Sequence, residues 1–406
     1  MSSRARRWLA LAIALTLATP ALAGCIGFDE AQTASVEEQG PETSPDEPTF
    51  ARELPGEITG VEHELTLGPD EGLDSAYQIA VQGEMAYISA WNAGFYTVDI
   101  SDPMQPEVLG HVADTFGHDP WVLNYDDGRT FVANAATSSG IDIINVTDPT
   151  NPEKVANVLG GDDGNVHNIA VVPGTHLIYN SRSVDTPGVD IVDASDPANP
   201  ELVRTFNDLT CHDISFHMPD DRAYCAGVRE TQIWEIADPE RPEIVTRIAN
   251  PAINIHHWAI PANDGDTLVI GDELAGAASD AANGCAGASA ENPATGGTTT
   301  DPVGALWFYD VSEEQAPTPQ SWISASEMRA ETGSCTAHFG EIVGDRDKMV
   351  VGFLSGGTYT IDFADVTAPQ VVDHDPVGEV VDVQVHHGWA FGVGRERGMD
   401  VWTFAG

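Results

Sequence analysis

Five histidines recur at one position of a repeated segment: His118 in HDPWVLN, His167 in HNIAVV, His212 in HDISFH, His256 in HHWAIP and His338 in HFGEIV. Each opens an apolar stretch that reads as a β-strand, so the imidazoles stand at equivalent places in equivalent units. Imidazoles converging in this way are the commonest transition-metal ligand set, and such a centre would take one ion of copper, iron or zinc. The competing reading is structural: duplication copies a histidine whose ring bonds the neighbouring unit's backbone, or the Asp119, Asn168 or Asp213 that follows it. Those same partners would orient a metal ligand, so the residue types leave both readings open. His257 replaces His256 if the register slips by one, and the two remaining units carry Tyr77 and Val381 in this slot.

A second constellation is cationic. Arg182, Arg229, Arg395 and Arg397 stand at the ends of second strands, where other units hold Trp91, Asn92, Asn134, Asp272 or Glu273. The planar guanidinium fork suits carboxylate or phosphate, so these four could form a rim for an anionic small molecule. Local pairing, for example with Glu230 and Glu396, is the simpler alternative. Apart from Cys25, four cysteines remain, and of three possible pairings Cys285 with Cys335 and Cys211 with Cys225 are preferred. Metal ligation by cysteine is the lesser alternative. There is no Gly-x-Ser-x-Gly elbow, phosphate-cradling loop or dinucleotide fingerprint. Asn145 heads a formal glycosylation sequon but aligns with Asp99 inside a strand, which points to a structural role.

The elements that must position these residues come from a turn sentence: VDISDPMQPEVLG from Val98, INVTDPTNPEKVANV from Ile144, VDASDPANPELVRTF from Val192 and WEIADPERPEIVTRI from Trp234. Degraded copies start at Tyr309 and Ile361. Each copy is a strand, an Asp-Pro turn and a second strand introduced by Pro106, Pro152, Pro200 or Pro242. The Asp side chain can bond backbone amides just ahead, Pro presets the turn, and a residue without N–H is tolerated where a strand begins. A hairpin that cannot bury its own face must stack in an array. Counting the strand pair ahead of each turn gives seven four-stranded units, the last one strand short. The missing strand is supplied by VEHELTLG, Val61–Gly68, which closes the ring and leaves no open edge. The expected fold is an all-β, seven-bladed propeller. Its second-to-third-strand loop in unit five, residues 273–304, is about thirty residues longer than its counterparts and is a candidate lid over the histidine face.

With HDISF, AYCAG and VDISDPxxPE in view, the chain resembles the LVIVD-repeat proteins over most of Tyr77–Phe404. That resemblance implies a cell-surface propeller and says little about chemistry, because one fold carries many functions.

Sixty-four acids face seventeen Lys and Arg, giving a formal charge of −47. Spread through every segment, this acidity fits a surface built for high salt, as in a halophile such as a haloarchaeon, and disfavours nucleic-acid binding. Residues 1–24, with Arg4, Arg6 and Arg7 before an apolar stretch, read as an export signal. Leu22-Ala23-Gly24-Cys25 resembles a lipobox with Cys25 as the lipidated residue, and Arg6-Arg7 points to the twin-arginine route. Residues 25–56 read as an acidic, disordered tether and 57–406 as the propeller. The expectation is a lipid-anchored protein on the outer face of the cell membrane that binds a small molecule, metal or protein partner on its lidded face. A His-ligated extracellular metalloenzyme, redox or hydrolytic, and a structural or adhesive envelope protein are the alternatives.

Overall fold

A computed structural model describes residues 50–160, 165–182, 188–209, 211–253, 255–273, 304–323, 336–354 and 356–406. The export signal, Cys25, Cys285, Cys335 and positions 274–303 of the long insertion lie outside the described residues.

Seven four-stranded antiparallel sheets are arranged as the blades of a propeller. The innermost strands, in order of blades 1 to 7, are Ala76–Gln82, Asp119–Asn124, Ile169–Val171, Asp213–His217, His256–Ala262, Ala337–Ile342 and Asp382–His386. The expected turn chemistry holds the outer hairpins together. Asp102, Asp148, Asp196, Asp238 and Asp365 each accept the backbone N–H two residues ahead, at 3.0–3.2 Å. Asp99, Asn145, Asp193, Asp310 and Asp362 do the same at 2.8–3.0 Å, so the Asn145 carboxamide serves as a turn cap. Pro106, Pro152, Pro200 and Pro242 immediately precede the outermost strands that begin at Glu107, Glu153, Glu201 and Glu243.

The core lies between blades. Phe95, Val112, Val132 and Ile144 pack together between blades 1 and 2, and Ile143, Ile169, Ile178 and Val192 between blades 2 and 3. The same pattern continues round to Val350, Val383, Ala390 and Trp402 between blades 6 and 7. Because each sheet is covered on both faces, its middle strands are buried without alternation, as in the five buried residues 357–361 of blade 6.

Blade 7 closes the ring with strands from both ends of the described chain. Gly60–Leu67 pairs antiparallel with Gly398–Ala405, from Gly60 opposite Ala405 to Leu67 opposite Met399. Ordered packing starts before residue 57, within the stretch expected to be tether. Phe50 is buried against blade 7, the Trp389 indole N–H donates to its carbonyl at 3.0 Å, and Arg52 lies 4.9 Å over the Trp389 ring.

Candidate metal centre and channel

The innermost strands bring one ring-bearing side chain from each of six blades to the channel mouth. Ring centroids are 5.0 Å apart for Tyr77 and His118, 4.8 Å for His118 and His167, and 4.3 Å for His167 and His212. His212 to His257 is 4.4 Å, His257 to His338 is 4.5 Å, and Tyr77 lies 6.4 Å from His338 across the Val381 slot, which closes the circle.

His256 is not a member of this circle. The ladder between the first two strands of blade 5 carries a bulge between His256 and Trp258, and one extra residue moves the next side chain to the opposite face. His257 therefore takes the ring position, while the His256 Nδ1 meets the Thr231 hydroxyl at 2.8 Å.

Backbone carbonyls fix the ring orientations. Nδ1 of His212 contacts the His257 carbonyl at 3.1 Å, Nδ1 of His257 the His338 carbonyl at 3.0 Å, and Nδ1 of His338 the Val381 carbonyl at 2.7 Å. A carbonyl only accepts, so each Nδ1 carries the proton and donates it, and each neutral ring keeps a lone pair on Nε2. His167 Nε2 stands 2.7 Å from His212 Nε2, so His167 is the donor of that pair. His118 Nδ1 is buried without a partner among the described residues.

Burial and the neighbouring rings keep these imidazoles neutral. Desolvation holds His118, His212 and His257 well below the usual histidine range and lowers His167 and His338 to about 4. Glu273, at the end of the second strand of blade 5, joins them. Its Oε2 lies 3.5 Å from His257 Nε2, and burial pushes its carboxyl up to about 7. Ligand atoms of His212, His257 and Glu273 lie within 4.8 Å of one another. His257 Nε2, the Glu273 carboxylate and His212 Nε2, which accepts from His167, make an acceptor-rich set that suits a cation.

The arginines are mostly engaged locally. Arg182 grips Asp190 with two bonds of 3.0 and 2.8 Å, and Arg397 bonds Asp400 at 2.8 Å and Thr66 at 3.1 Å. Arg395 pairs with Glu379 at 3.0 Å and lies 6.0 Å from the Tyr77 ring. Glu230 pairs with Arg247. Only Arg229 of the four is exposed and without an ion pair among the described residues. Cys211 and Cys225 form a disulfide that ties the residue before His212 to the second strand of blade 4.

Below the ring, each strand contributes its next residue to a second tier that includes Gln78, Asp119, Asp213 and Asp382. The tier is linked around the circle. Asp119 accepts the Ile169 N–H of the next blade at 2.8 Å, Asp382 accepts that of Ile79 at 3.1 Å, and the Asn168 amide donates to Asp213 at 3.1 Å. Asp382 and Gln78 were overlooked in sequence because their slot neighbours are Val381 and Tyr77, although alignment of the slot plus one would have found them.

A blade count of seven and an inner ring of this kind define a β-propeller, a fold used broadly for ligand binding and protein interaction. The LVIVD repeat matches residues 74–114, all of blade 1, and 184–208, the outer half of blade 3, and these matches with the seven-bladed fold support the LVIVD-repeat β-propeller family. No curated protein matches it.

Proposed function

We propose that this protein is an exported, lipid-anchored propeller that holds one transition-metal ion at its channel mouth and uses that ion to bind a ligand. His212, His257 and His338 would supply Nε2 and Glu273 a carboxylate, with His118, His167 and Tyr77 completing the wall. One observation carries this reading: His212, His257 and His338 donate their Nδ1 protons around the ring, which leaves their Nε2 atoms unprotonated on the side of the half-buried Glu273 carboxylate. Nitrogen with one carboxylate suits zinc, copper or iron. Lipid anchoring rests on Cys25 in its lipobox-like setting, and export on the Arg-rich, apolar start.

The test is elemental analysis of untagged protein from Cys25 onward, purified in high salt, beside His212→Ala and His338→Ala variants. Stoichiometric metal in the parent and its loss from either folded variant is the expected result. No metal after reconstitution with copper, iron and zinc would overturn the proposal.

A further inference from the structure

Below the histidine ring the propeller axis is a channel of about 590 Å³, lined by six innermost strands and by Pro173 just beyond the seventh. That volume is in the range of small-molecule sites. Among the described residues its wall carries four carboxylates, Asp119, Asp213, Glu341 and Asp382, from blades 2, 4, 6 and 7, and neither Lys nor Arg. The remaining titratable group on the wall is His217, which meets Asp220 at 3.1 Å.

Two side chains here have polar atoms to spare. Gln78 is 4% exposed, and its Oε1 has no hydrogen-bond partner among the described residues. Glu341 makes no hydrogen bond or ion pair among the described residues, although it sits on an innermost strand. Leaving such groups without partners is costly unless something else meets them.

The arrangement selects against a bare ion. Among the described residues, only the His212, His257 and Glu273 set brings three ligand atoms within 4.8 Å, so the channel carboxylates are too dispersed to enclose a metal together. The half-buried Trp121, Phe216 and Phe339 line the same wall. Separated carboxylates and aromatic side chains on one wall match a molecule with cationic ends and an apolar middle.

We infer that the channel binds a small aliphatic di- or polyamine, its ammonium groups on Asp119, Asp213, Glu341 and Asp382 and its methylenes against the aromatic walls. This site does not depend on the metal proposed at the mouth. Burial, with repulsion from a neighbouring carboxylate, raises Asp382 to about 7 and Glu341 to about 8. An amine therefore displaces protons on binding, and affinity rises with pH across that window.

Titration calorimetry of the untagged protein with 1,4-diaminobutane and spermidine tests this, at about 2 M KCl to screen the acidic surface. The expected result is saturable binding near one equivalent at pH 8, about tenfold or more weaker at pH 6. Binding should weaken similarly in Glu341→Gln and Gln78→Ala, and persist in the surface control Glu153→Gln and in His212→Ala. Magnesium and 1,4-butanediol should give no signal. Equal binding by magnesium, or diamine binding unchanged in both channel variants, would overturn the inference. Loss in His212→Ala alone would place the amine at the mouth and likewise overturn it.

Discussion

At the scale of single residues, one inserted backbone position separates a ligand candidate from a structural histidine. His257 faces the ring and His256 faces Thr231, although the two are chemically identical neighbours. Replacing His257 with Ala should abolish metal retention, whereas His256→Ala should leave metal content intact and lower the melting temperature; equal metal loss in both would refute the assignment. Protonation gives a second expectation. The imidazoles, lowered to about 4 at His167 and His338 against 6.5 when free, take up protons less readily folded than unfolded, so they remove stability as pH falls from 6.5 towards 4. The buried carboxylates act in the opposite sense. Raised to about 7 at Glu273 and Asp382 and about 8 at Glu341, they hold protons the unfolded chain has released, and stability falls as pH rises through those values. From pH 6.5 to 8 the carboxylates dominate, so the metal-free protein should melt at lower temperature as pH rises, less steeply in Glu341→Gln. An unchanged slope in that variant would contradict the desolvated state of the Glu341 carboxyl.

At the scale of the element, the turn sentence repeats because its side chains and backbone solve one local problem many times. Carboxylates of the Asp-Pro turns replace missing backbone partners, and the prolines stand where a strand can start without donating. Blade closure sets a stricter demand at the hairpin into the last strand. Gly398 has φ +97°, and a Cβ there would lie 2.1 Å from the Leu67 carbonyl oxygen of the closing strand. Gly398→Ala should therefore cost about 1–3 kcal/mol or more in chemical denaturation, through both the strained dihedral and the loosened ladder. A variant as stable as the parent would show that the Gly60–Leu67 strand can shift without penalty. The histidine ring depends on such elements, because the carbonyls that orient it belong to the first residues of neighbouring inner strands.

At the scale of the whole molecule, ring closure and charge decide behaviour. Without residues 50–67 the Gly398–Ala405 strand is left as an open edge and Phe50 no longer covers Trp389. The truncated protein should lose its single cooperative transition and associate on size-exclusion chromatography; a monomer of parental stability would mean that closure contributes little. A formal charge of −47 opposes compaction when unscreened. Lowering KCl from about 2 M to about 0.1 M should accordingly reduce the melting temperature, and a flat salt response would set aside adaptation to high salt.

Repetition made the architecture legible in the chain itself: seven strand pairs, six turns, and an unpaired N-terminal strand to complete the last blade can be counted from alternating apolar residues and Asp-Pro spacing. Local chemistry dictates those features, so nearby residues suffice to reveal them. The slot histidines were visible in the same way, as was the Cys211–Cys225 pairing. Tertiary structure alone decided which of His256 and His257 turns inward, that Glu273 reaches the ring, and that Arg182, Arg395 and Arg397 are held by nearby acids. It also brought the channel carboxylates Asp119, Asp213, Glu341 and Asp382 together from four blades. A bulge is set by how two strands fit, and a channel by residues that lie far apart in sequence and meet only when the ring closes.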